Sequence, residues 1–116
     1  MIKTKRVYEQ PAPQDGKRIL VDRLWPRGVS KQAGRVDEWM KEIAPSEKLR
    51  NWFAHDPRKW EAFKRRYRKE LEGKEDLTEQ LKDISRKGTL TLVYSAKDEL
   101  HNQAEALKEF LESLET

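Results

Sequence analysis

At 116 residues the chain is long enough for one hydrophobic core and too short for two. Charged residues make up 40% and apolar ones 35%, yet four tryptophans and three phenylalanines mark a folded globule rather than a disordered chain. There is no cysteine, which excludes disulfides, thiolate catalysis and cysteine-ligated metal, and the net charge of +4 suggests an anionic partner.

Residues 2–8, IKTKRVY, predict a short strand, placed at a sheet edge by its lysines. No stretch there or elsewhere is apolar enough for a signal peptide or a membrane span, so the expected setting is the cytoplasm. EQPAPQDG carries two prolines and an Asp15-Gly16 turn and reads as loop. Residues 18–25 predict a second strand, whose unbroken Ile19-Leu20-Val21 run suits burial on both faces.

Beyond Gly28, the residues Val36, Trp39, Met40 and Ile43 recur at i, i+3, i+4 and i+7, which predicts a helix stopped by Pro45. Ser46 then suits the N-cap of a short helix that buries Leu49, Trp52 and Phe53. Asp56 and Pro57 open the longest helix, 57–72, with Trp60, Phe63, Tyr67 and Leu71 as its buried stripe. Gly73 ends it, and a further helix with Leu77, Leu81 and Ile84 inward closes at Gly88. Residues 89–96, TLTLVYSA, predict a third strand, and a last helix turns Ala104, Leu107, Leu111 and Leu114 inward.

The long helical excursion between the second and third strands fits a parallel crossover. The expected fold is α/β: a small three-stranded, largely parallel sheet flanked by about five helices, forming a single compact domain over residues 1–116. The link between the first two strands has no helix. Its length alone favours an antiparallel pair, so the direction of the first strand stays open.

In open parallel sheets, ligands collect outside the carboxyl ends of the strands. The second strand there supplies Asp22, Arg23 and Arg27, and the third supplies Tyr94 and Ser95, with His101 and Asn102 close behind. Arg23 and Arg27 could hold a phosphate or carboxylate through bidentate bonds, with Asp22 positioning one of them. Tyr94, Ser95 and Asn102 would orient the ligand, and His55 or His101 is the candidate for catalytic proton transfer if the protein is an enzyme. The same residues also suit a structural ion pair that fixes the Trp25-Pro26 turn, with Asn102 as a helix cap. Two isolated histidines make a poor metal site, and no motif asks for a cofactor.

Residues 57–72 contain seven basic side chains, of which Arg58, Arg65 and Lys69 form a stripe opposite the buried face. Such a stripe could track a nucleic-acid backbone or meet a protein partner, although a solvated helix face has the same pattern. Nucleic acid is therefore the alternative partner, behind a small anion.

Three long segments, ILVDRLWPRGVS, WMKEIAPSEKLRNWFAHDPRKWEAFKRRYRKEL and LTLVYSAKDELHNQAEALKEFL, resemble the domain of unknown function 488 family in its short YeaO-like branch. The likeness runs from residue 7 to residue 111 and implies a compact α/β domain. Longer relatives end the equivalent strands with an Asp-Val-Arg-like segment and a loop containing Cys-His-Arg. The resemblance places Val21-Asp22-Arg23 on the first and His101-Asn102 near the second, where this chain lacks both the cysteine and the arginine that follows the histidine.

Overall fold

Leu90, Thr91, Leu92, Val93 and Tyr94 are all buried, and that five-residue strand organises the molecule. The computed structural model describes residues 1–114. Four strands, β1 (Ile2–Arg6), β2 (Lys17–Leu20), β3 (Glu38–Trp39) and β4 (Leu90–Tyr94), form one sheet in the order β1-β4-β2-β3. Every neighbouring pair is parallel. Helices α1 (Lys31–Gly34), α2 (Glu47–Phe53), α3 (Trp60–Glu72), α4 (Glu75–Lys87) and α5 (Gln103–Ser113) accompany it. The radius of gyration, 13.3 Å, matches the ~13 Å of a single domain of this length.

Alternation along β4 divides the core. Leu90, Leu92 and Tyr94 join Ile2, Ile19 and Val21 in the main cluster, against Phe63, Tyr67 and Leu71 of α3 and Leu107 and Leu111 of α5. Val93 faces the other way with Val7 and Leu20, where Trp25, Val29 and Val36 cover it. Tyr67 donates its hydroxyl to the Ile43 carbonyl at 2.7 Å, and complete burial pushes the phenol well above its ordinary range. On α5, Ala104, Leu107 and Leu111 point inward as expected, whereas Leu114 is exposed.

The sheet has four strands rather than three, and the expected helix around residues 36–43 does not form. Its apolar residues belong to different layers: Val36 packs in the smaller cluster, while Met40 and Ile43 reach the main one. The chain therefore crosses the sheet edge at this point. The Asp37 and Met40 amides bond to the Arg18 and Leu20 carbonyls, at 2.9 Å each, instead of to a preceding helical turn.

The first strand is an edge strand, as its lysines imply, and runs parallel to β4. A short link suggests a hairpin only when the two strands are neighbours, and here β4 lies between them. Residues 7–16 must return along a five-residue strand, about 17 Å, and step across two strand spacings, about 10 Å. Ten extended residues reach roughly 33 Å, so no helix is needed.

That link is pinned by buried polar groups. Thr91 donates to the Asp15 carbonyl at 2.6 Å, and the Asp15 carboxylate pairs with Arg18 and with Lys5. Burial works against the charged carboxylate, but hydrogen bonds from the Ala12 amide, Lys5 and Arg18 hold Asp15 below its ordinary range. Gly16 closes the turn at φ 63°, where an added Cβ would lie 2.3 Å from the Thr89 carbonyl oxygen. Gly16→Ala should therefore lose roughly 2–5 kcal/mol of stability through strain and backbone collision together. Urea denaturation measures it; a loss under about 1 kcal/mol would show that the turn yields easily.

Candidate functional site

The Val21 amide still bonds to the Val93 carbonyl at 3.0 Å, so β2 and β4 finish side by side. One residue later the chains part, and Asp22 fills the gap. Its carboxylate accepts from the Ser95 amide at 3.1 Å, from the Ser95 hydroxyl, and from the side-chain amide of Gln103 on α5. Two strand ends and a helix start thus meet at one buried carboxylate. Burial pushes the Asp22 carboxyl above its ordinary range, against the opposing pull of the Ser95 and Gln103 hydrogen bonds and the Arg50 charge. Asp22 thus spends its hydrogen bonds on Ser95 and Gln103 and makes none to Arg23 or Arg27.

Over this junction lies a cavity of about 710 Å³, within the size range of small-molecule sites. Four cationic side chains line it: Arg23, Arg27, Arg50 and Lys97. Arg23 is anchored by its Nε, which donates to the Pro45 carbonyl at 3.1 Å, and its terminal nitrogens make no bond among the described residues. The side chains of Arg27, Arg50 and Lys97 make no hydrogen bond or ion pair with any other described residue. Among the described residues only two carboxylates line the same cavity, Asp22 and Asp98, and both are engaged with neighbours.

Both histidines reach the wall. His101 Nδ1 lies 2.9 Å from Asp98, and its ring meets Trp60 edge-on with centroids 5.4 Å apart. Hydrogen bonds from the Leu100 amide and the His101 ring hold the Asp98 carboxyl below its ordinary range. His55 is exposed and stands at φ 57°, directly after Ala54 at φ 48°. Consecutive left-handed residues without glycine are strained, and both flank the cavity's α2 side. Asn102 also lines the cavity, but as the cap of α5: its Oδ1 accepts from the Glu105 amide at 3.0 Å and its Nδ2 donates to the Asp98 carbonyl at 2.9 Å. Tyr94 does not reach the cavity. It belongs to the main core, where burial and nearby Glu99, Glu105 and Glu9 push its phenol up to about 12.

The family model described as the inactive DUF488-N3 subclade matches residues 1–115. The uncharacterized protein YeaO of Escherichia coli (strain K12) is 46% identical over 113 residues, covering 97% of this chain and 98% of that one. The uncharacterized protein Rv3073c of Mycobacterium tuberculosis (strain ATCC 25618 / H37Rv) is 37% identical over 110 residues, 95% and 92% of the two chains. The chain belongs to the DUF488 family. No solved structure matches it.

Within this DUF488 domain the cavity brings together Asp22, Arg23, Arg27, Ser95, His55, His101 and Asn102, seven of the eight candidate ligand-binding and proton-transfer residues. Sequence reasoning missed Arg50 and Gln103. The Ser46 cap places Arg50 in the last turn of α2, and the Asn102 cap makes Gln103 the first residue of α5, so both positions follow from caps already recognised.

The basic helix is more self-contained than its sequence suggests. Arg58 pairs with Asp56, Lys64 with Glu61 and Glu109, and Arg66 lies over the Trp52 ring at 3.9 Å. Of the expected stripe, Arg65 and Lys69 remain exposed without such partners. Among the described residues no helix is long and apolar enough to cross a membrane, and no cluster of three or more metal-ligating side chains occurs.

The Asp22 junction makes a sharp prediction. Asp22→Ala strands the Ser95 and Gln103 donors and should lose about 2–4 kcal/mol. Asp22→Asn keeps an acceptor for Ser95, and a flipped Gln103 amide can meet the new NH2, so the change at neutral pH should stay within about 1 kcal/mol. Because the folded carboxyl titrates above its unfolded value, the wild-type term strengthens as pH falls through that raised pKa toward the unfolded one. Urea melts of both proteins between pH 4 and pH 8 should show Asp22→Asn losing this increment; parallel profiles would refute it.

Proposed function

We propose that the cavity at the carboxyl ends of β2 and β4 binds a small anionic ligand bearing a phosphate or carboxylate. One observation carries this reading: four cations share the cavity wall, while its two carboxylates are engaged elsewhere. Like charges gathered without counter-charge are unfavourable unless something anionic joins them. Arg23 offers a held guanidinium whose terminal nitrogens make no bond among the described residues, and the exposed Arg27, Arg50 and Lys97 add charge around it.

The reading is of binding rather than turnover. The Ser95 hydroxyl donates to Asp22, so it is not activated as a nucleophile by either histidine. The chain has no cysteine. The matching family model is itself described as inactive. Phosphoryl or carboxyl recognition needs only donors and charge, which this wall has. A nucleic-acid surface on α3 has less support, because most of its cations already hold protein partners.

A thermal-shift panel of inorganic phosphate, phosphorylated metabolites and small carboxylates tests this. A ligand at a hundred times its Kd should raise Tm by about 10 °C. Arg27→Ala and Arg50→Ala should each weaken binding at least about tenfold, as expected for a lost charge-assisted hydrogen bond. Arg65→Glu with Lys69→Glu should leave it unchanged. No shift with any probe, or a shift that survives both alanine variants together, would overturn the proposal.

A further inference from the structure

The cavity is far larger than an oxyanion requires. A free phosphate on the cations would leave most of the 710 Å³ to something else. Much of the rest of the wall is apolar, including Phe53, Phe63, Trp25, Leu24 and Pro45. Phe53 and Phe63 lie with ring centroids 4.4 Å apart, and Trp60 stacks on Phe63 at 5.7 Å, so this floor is a fixed aromatic surface.

Most polar side chains around that floor already have partners; besides the cations, the His55 ring, His101 Nε2 and Gln103 Oε1 are the exceptions among the described residues. Both ends of the Asn102 amide are bonded, and the Gln103 amide nitrogen and the Ser95 hydroxyl are held by Asp22. The Trp25 indole N–H donates to the Val29 carbonyl at 2.7 Å, and the Tyr8 hydroxyl donates to the Arg27 carbonyl at 3.0 Å. A ligand body rich in donors and acceptors would be stripped of water there with few groups to replace it. An apolar body gains from the same burial. What the wall leaves to a ligand is mainly positive charge and apolar surface, with the imidazoles of His55 and His101 beside them.

From this division we infer that the ligand is amphipathic: a phosphate or carboxylate head joined to a flat apolar body, not a bare oxyanion and not a nucleotide. This rests on the anion reading above and narrows its ligand class. The head meets Arg23, Arg27, Arg50 and Lys97, and the body lies on the Phe53–Phe63 floor.

Calorimetry on the intact protein at fixed ionic strength, with orthophosphate, phenyl phosphate, adenosine 5′-monophosphate and benzyl alcohol as probes, tests it. Phenyl phosphate should bind at least ten times more tightly than orthophosphate or the nucleotide, and it should perturb tryptophan fluorescence through Trp25. Leu24→Ser, at an exposed position that spares the core, should cut phenyl phosphate affinity more than orthophosphate affinity. Equal affinity for phenyl phosphate and orthophosphate, or tighter binding of the nucleotide, overturns this inference and leaves the anion reading standing. Benzyl alcohol binding as well as phenyl phosphate overturns the anion reading instead, and no binding by any probe overturns both.

Discussion

A single buried carboxylate joins the three segments that form the cavity. Parallel strands that end together must separate, and where β2 and β4 do so their loops lead away from a sheet that no longer supplies hydrogen bonds. Asp22 replaces them, taking the Ser95 amide and hydroxyl from one loop and the Gln103 amide from α5. A buried charge is tolerated only when its hydrogen-bonding capacity is met. Here the satisfied carboxylate sets the spacing between the loop after β2 and the loop after β4, and most cavity residues hang from those two loops.

The opposite wall is fixed by a second polar corner. Glu70 of α3 takes the Ser46 amide at 2.8 Å and the Ser46 hydroxyl at 2.6 Å, while Ser46 caps α2 through the Leu49 amide. Just before it, the Ala44 and Pro45 carbonyls accept from Lys74 and Arg23. Burial and the neighbouring Arg23 charge hold Lys74 below its ordinary range, against Glu70 and Glu42. Arg23 is thus clamped by the corner that starts the helix bearing Arg50, and the two guanidiniums are positioned by one piece of backbone.

Most of this architecture was legible in local chemistry. Caps at Ser46 and Asn102, the glycine stops and the α3 stripe act within a few residues, and each appears where its residues predict it. What local reasoning missed depends on distant partners. The spacing of Val36, Trp39, Met40 and Ile43 is helical, but a chain passing round a sheet edge leaves the same spacing when it feeds two layers in turn. Tyr94 ends its strand as Ser95 begins the site, and alternation sends the two to opposite uses. The direction of β1 depended on which strand lay beside it, information carried by residues 90–94 rather than by the link.

The uneven treatment of charge is the strongest internal argument about the site. Where the fold buries a cation for structure, it balances it. Arg18 is almost fully buried and has Asp15 for its guanidinium, with further bonds to the Gly34 and Arg35 carbonyls, and Lys5 shares the same aspartate. None of these residues lines the cavity. Around the cavity the pattern changes: Arg23 and the exposed Arg27, Arg50 and Lys97 form no ion pair with a described residue, beside two consecutive left-handed residues without glycine, Ala54 and His55. Repulsion and backbone strain both reduce stability, and they gather at one end of a sheet in a fold where every buried side-chain polar atom of the described residues has a partner. A chain that neutralises Arg18 so completely leaves Arg27 and Lys97 without an ion pair, and gives Arg50 only the charge of an Asp22 whose hydrogen bonds go to Ser95 and Gln103. Leaving these cations unpaired keeps their positive field available to a ligand that brings its own negative charge.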